Sequence, residues 1–113
     1  MAAETVFGKI LRRELPATFV HEDDRCVAIE DIHPKAPLHV LVIPRKAIPS
    51  LAEATEDDAA LLGHCLVVAR QIAQSKGCGH AFRVVSNAGE DAGQTVHHLH
   101  FHVLGGRQLH GMA

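Results

Sequence analysis

The stretch TVHHLHFHVLGG (residues 95–106) sets His98, His100 and His102 at every second position, with Leu99, Phe101 and Val103 between and beyond them. Side chains of a strand alternate between its two faces, so residues two apart point the same way. A strand here gathers three imidazoles on one face, with successive Cβ atoms roughly 6–7 Å apart. Leu99, Phe101 and Val103 then turn to the opposite face, where helices can cover them. A helix over the same residues would scatter the rings around its axis. The bland alternative is a solvated sheet face that carries histidines. Three adjacent imidazolium ions repel at mildly acid pH, however, so such a row is a poor way to build a stable surface.

The flanking sequence gives this strand its neighbours. Residues 5–15 read as a short amphipathic helix, with Val6 and Ile10 sharing a face and Phe7 and Leu11 widening it, closed by Pro16. ATFVHED (17–23) and RCVAIED (25–31) read as two strands of a hairpin around an acidic turn. IHPKAP is a proline-bounded loop, and LHVLVIP (38–44) is a β-branched third strand stopped by Pro44. Thr55 and Asp58 resemble a capping box opening a long helix that Gly77 closes, with Leu62, Leu66, Ala69 and Ala73 as its apolar stripe, widened by Leu61, Cys65, Val68 and Ile72. HAFRVVS (80–86) and VHHLHFHVL (96–104) complete a set of five strands. Short connections and one long helix predict an α+β fold, an antiparallel sheet with helix packed on it.

A chain of 113 residues fits one domain, expected to span 1–113. With 47% apolar and 21% charged residues and a net charge of −2, it has no basic field with which to bind nucleic acid non-specifically. Cys26, Cys65 and Cys78 form no C-x-x-C pair, which argues against a disulfide framework or a cysteine-based zinc site. Free thiols suit a reducing compartment. The N-terminal stretch has no continuous apolar h-region and no run is long enough to span a membrane, so the cytoplasm is the expected location.

Two chemistries suit the histidine row. Neutral imidazoles bind zinc, and H-x-H on a strand supplies two ligands, with His39 as a further donor. Alternatively one imidazole attacks phosphorus while a neighbour moves protons near neutral pH. The loop NAGEDAGQT (87–95), immediately before the row, lets backbone N–H groups approach an anion and tilts the choice toward phosphorus.

HLHFHVL (98–104) fits the signature His-φ-His-φ-His-φ-φ, with φ apolar, and on it the chain resembles the histidine triad (HIT) family. FGKILRRELPATFVHEDD, AIEDIHPKAPLHVLVIPRKAI and GQTVHHLHFHVLGGRQLH all look like its Hint branch. The resemblance implies a homodimeric purine nucleoside phosphoramidase that needs neither cofactor nor metal, two sheets joining into one of ten strands. It makes His100 the nucleophile, and has His102 contact the phosphoryl group and assist the leaving group. It has the His98 carbonyl orient His100, with the His98 side chain near His39. It places Asp31 on the ribose hydroxyls, and Val6, Phe7, Ile10, Ile29 and Ile32 around the base. Asn87, Gly93, Gln94 and Thr95 match its phosphate-binding positions.

Nucleotidyl transferases of the superfamily carry glutamine in the third triad position, so His102 favours hydrolysis. The chain departs from the resemblance after GGRQ, where LHGMA (109–113) replaces the usual tryptophan and prolines and leaves the leaving group open. A dinucleoside polyphosphate hydrolase, a nucleotide-binding scaffold and a zinc protein are the rival readings.

Overall fold

The computed structural model describes residues 4–111. Its elements run α1 (Val6–Leu11), β1 (Phe19–Glu22), β2 (Cys26–Glu30), β3 (Leu38–Pro44), α2 (Ala59–Ser75), β4 (Phe82–Val85) and β5 (Phe101–Gly105). The strands form one antiparallel sheet in the order β1-β2-β3-β5-β4, with a long helix and a short one, as the sequence predicts. Among the described residues no helix is long and apolar enough to cross a membrane.

Strand alternation divides the core between the two sheet faces. Cys26 and Ala28 of β2, Val40 and Val42 of β3, and Phe101 and Val103 of β5 pack with Cys65, Val68, Ala69 and Ile72 of α2. The residues between them, Val27, Ile29, Leu41 and Ile43, pack instead with Phe7 and Ile10 of α1. The two helices therefore cover opposite faces, and the face under the six-residue α1 is left partly open. Leu99 sits with the α2 cluster, on the side the sequence predicts.

Local chemistry sets the element ends. The Asp23 carboxylate accepts the N–H groups of Arg25 and Cys26 at 2.7 and 2.8 Å, which folds the β1–β2 turn. The capping box at Thr55–Asp58 is present, although the first turn is 3₁₀ and α2 proper begins at Ala59. Its far end is a Schellman closure, with Gly77 at φ 77° and Cys78 N–H bonded to the Ala73 carbonyl at 2.7 Å.

Every strand except β3 is shorter than predicted, as is the first helix, and α1 and β5 depart most. Residues 12–15 leave the helix because Arg13 takes φ 63° and Glu14 N–H closes on the Lys9 carbonyl at 2.8 Å. Side-chain contacts hold that left-handed arginine, its guanidinium lying 3.9 Å from the Phe19 ring centroid and 2.6 Å from Glu22. The last strand begins only at Phe101. Before it, Leu99 N–H bonds to the Ile48 carbonyl at 2.7 Å rather than joining the sheet ladder.

Candidate active site

The open part of the α1 face is a cleft of about 720 Å³, a size suited to a nucleotide-sized ligand. Phe7 and Ile10 of α1 and Ile29 of β2 form its apolar floor, with Val6 at the rim. Asp31 and Ile32 follow β2, and Ile32 stands at the mouth with 85% of its surface exposed. Asn87, Gly93 and Thr95 enter from the glycine-rich loop, and His39, His100 and His102 complete the wall. Gly93 adopts φ 97°, a conformation that a side chain would strain.

The central imidazole is fixed by the main chain. His100 Nδ1 lies 2.8 Å from the His98 carbonyl, which can only accept, so the proton sits on Nδ1 and Nε2 keeps its lone pair. Ser86 Oγ donates to the His100 carbonyl at 2.9 Å, and the Phe7 ring meets the imidazole edge-on with centroids 4.9 Å apart. Only 7% of His100 is exposed. Burial lowers its pKa against the opposing bond to the His98 carbonyl, which favours the neutral ring.

A second chain of hydrogen bonds orients His102. Lys35 main-chain N–H donates to His39 Nδ1 at 3.0 Å, so the His39 proton must be on Nε2. That nitrogen lies 3.0 Å from His102 Nδ1, which accepts, leaving the His102 proton on its own Nε2. Asp31 Oδ2 is farther from His39, at 3.4 Å, while its Oδ1 takes the His33 N–H at 2.8 Å. Burial, then the neighbouring His100 and His39 rings, push the His102 pKa down to about 4. Burial likewise lowers the pKa values of His39 and His98.

Two sequence expectations need correction. The His98 side chain is not near His39: its Nε2 donates to the Pro44 carbonyl at 2.8 Å. His39 pairs with Leu104 at the other end of β3, about 16 Å along the strand at its usual rise. His98 therefore contributes its carbonyl, as expected, while its ring serves as a strut. Gln94 does not line the cleft either. Its amide donates to the Pro49 and Val96 carbonyls at 2.7 and 2.9 Å and accepts the Gly89 N–H at 2.8 Å, and its own N–H is bonded to Gly89. Every polar group of Gln94 named here is committed to shaping the loop.

The sequence reading missed Leu41 and Val96, which share the apolar wall, and Arg83 and Val85 at the far end of the cleft. Leu41 was accessible through its two-residue spacing from His39. The Lys35 N–H carries no side-chain signal at all. Arg107 supports it by donating to the Lys35 carbonyl at 2.6 Å. Gly106, at φ 90°, allows the close approach, since a Cβ there would lie 2.9 Å from Pro37 Cβ. Met112 and Ala113 of the divergent tail lie outside the described residues.

Donor atoms of Asp31, His39 and His102 also lie within 4.8 Å of one another, and a metal bound there would take the place of the His39–His102 hydrogen bond. What the cleft offers is an oriented neutral imidazole, a second imidazole with a positioned N–H, and an apolar floor beside the Asp31 carboxylate.

The HIT domain profile matches residues 12–109. Over 107 residues the chain is 55% identical to an uncharacterized HIT-like protein of Synechocystis sp., covering 95% of this chain and 94% of that one. A HIT family hydrolase from Legionella pneumophila superposes with a TM-score of 0.91 at 42% identity, over 93% of this chain and 95% of its own. Another from Clostridium thermocellum gives a TM-score of 0.92 at 42% identity, over 99% and 98%. The cleft with its paired imidazoles is thus the pocket of a histidine triad fold, and the chain belongs to the HIT family.

Proposed function

We propose that the protein is a hydrolase of purine nucleoside 5′-phosphoramidates, acting through a nucleotidyl-His100 intermediate. The observation that carries this reading is the bond from His100 Nδ1 to the His98 carbonyl, which leaves a neutral Nε2 with a free lone pair in the cleft wall. The similar Legionella and Clostridium proteins are described as HIT family hydrolases, which supports the reaction class.

In this reading the base lies against Phe7, Ile10 and Ile29 and covers the rim residues Val6 and Ile32. Asp31 accepts from the ribose hydroxyls, while Asn87, Thr95 and the Gly93 main chain face the phosphate. His100 Nε2 attacks phosphorus, the P–N bond to the leaving amine breaks, and His102 supplies the proton that the amine takes up. The bound phosphoryl anion favours the protonated form of His102, offsetting the burial that keeps it neutral in the free protein. The new Nδ1–H breaks the His39–His102 hydrogen bond, and the His39 Nε2–H turns to Asp31 Oδ2, 3.4 Å away. Water then attacks the intermediate and gives a proton to His102. The bond between phosphorus and Nε2 breaks and restores the His100 lone pair.

Two copies would join at β4, an edge strand, into a ten-stranded sheet, which removes an exposed ladder of backbone groups. The exposed Leu66 and Val67 of α2 fit an interface of this kind.

The test is to mix protein with adenosine 5′-phosphoramidate, quench in alkaline denaturant, in which a P–N bond survives, and map the adenylylated residue by mass spectrometry. The label is expected on His100, and His100→Ala is expected to lose turnover yet still bind AMP. Label on another residue, or substantial turnover by His100→Ala, overturns the assignment.

A further inference from the structure

On the other face of the sheet, under the start of α2, a second group of titratable side chains converges. The Asp23 carboxylate divides its two oxygens between different tasks. Oδ1 is held by the main-chain N–H groups of Arg25 and Cys26. Oδ2 receives His21 Nε2 from β1 at 2.6 Å and His64 Nε2 from α2 at 2.7 Å, with the Cys26 thiol 3.6 Å away. Donor atoms of His21, Asp23 and Cys26 all lie within 4.8 Å of one another. The cluster is partly buried: His21, Asp23 and His64 each keep about a quarter of their side-chain surface, and Cys26 has none.

We propose that His21, Asp23, Cys26 and His64 form a binding site for one zinc ion, separate from the catalytic cleft. The set has two imidazoles, a thiol and a carboxylate, the donor types that zinc accepts in four-coordinate sites. Its geometry is prepared for a metal in one specific respect. The oxygen facing the imidazoles is oriented by main-chain hydrogen bonds to its twin, which is how metal-binding carboxylates are held in register. Without a metal, three donors crowd a single oxygen. A cation among them would let both imidazoles and the sulfur act as acceptors.

On binding, the Cys26 thiol becomes a thiolate and releases its proton, and the two imidazoles move their N–H to Nδ1. The ion would pin the β1–β2 hairpin to α2, elements joined at this point through side chains 41 residues apart in sequence. Strand alternation keeps it away from the catalytic rings: Cys26 packs on the α2 face, whereas Val27 and Ile29 face the cleft side. The proposal does not depend on the phosphoramidase reading.

The experiment titrates chelator-stripped full-length protein with Co(II), then with Zn(II). One equivalent of Co(II) is expected to give a thiolate-to-cobalt charge-transfer band with visible bands of tetrahedral intensity, both lost on adding Zn(II). His21→Ala and His64→Ala, on partly exposed side chains, are each expected to weaken binding at least tenfold. Cys26→Ser, checked for folding by circular dichroism, is expected to remove the charge-transfer band. His102→Ala is expected to leave the titration unchanged. A titration without the band overturns the site, as does binding lost in His102→Ala but retained in His21→Ala and His64→Ala.

Discussion

Acidification from pH 8 to pH 5 provides a stringent test of the buried imidazoles. Burial lowers the pKa values of His39, His98, His100 and His102, so in this range the unfolded chain binds more protons than the folded one. Stability must then rise with pH, being complete above the ordinary imidazole value of 6.5 and lost progressively below it. For His102 the folded value of about 4 sets the lower end of the window. Linkage between 6.5 and about 4 gives a loss of about 2 kcal/mol by pH 5 from this one ring. The other three rings add to it with the same sign.

The carboxylates do not confuse the measurement. Asp23 and Asp58 are held below their ordinary 3.8, and Glu14 and Glu22 below 4.5, so their contributions are lost at lower pH. Urea unfolding followed by circular dichroism at half-unit pH steps reads the effect directly. His102→Gln is expected to have a shallower slope above pH 5 by its own share. A stability that stays constant from pH 7.5 to pH 5, or an identical slope in His102→Gln, refutes the reasoning.

Steady-state assays with adenosine 5′-phosphoramidate are expected to show kcat/KM falling on the acid side only below the ordinary histidine range, because His100 stays neutral there; an acid limb above pH 6.5 contradicts this. His102→Ala is expected to lower kcat by about 10²–10⁴ while AMP still binds by calorimetry. Gln94→Leu strands the Gly89 N–H and the Pro49 and Val96 carbonyls, and denaturant titration is expected to show a loss of about 2–4 kcal/mol. Leu99→Ala opens a hole in the α2 core, at a cost of about 2–5 kcal/mol in the same assay, with the fold retained.

Much of this molecule is local and therefore legible. Period-two alternation places Val27 and Ile29 opposite Cys26 and Ala28, the Thr55–Asp58 box and Gly77 bracket the long helix, and Asp23 marks the hairpin turn. The H-x-H-x-H row announces the chemistry by residue type, but the strand that would align all three rings starts only at Phe101, so His100 and His102 reach the cleft and His98 does not. The end of α1 was less accessible, since a tertiary contact with Phe19 stabilises the left-handed Arg13 that closes it.

The active atoms themselves were decided by tertiary structure. Which nitrogen of His100 is free depends on where the His98 carbonyl points, and the His102 tautomer depends on a Lys35 N–H acting through His39. Main-chain donors and acceptors are the same for nearly every residue type, so a sequence pattern cannot register them. The same reason sends Gln94 into the loop and the His98 ring to Pro44 rather than to the substrate cleft. Alternation tells which face a side chain takes; only the packed chain fixes which atom meets which.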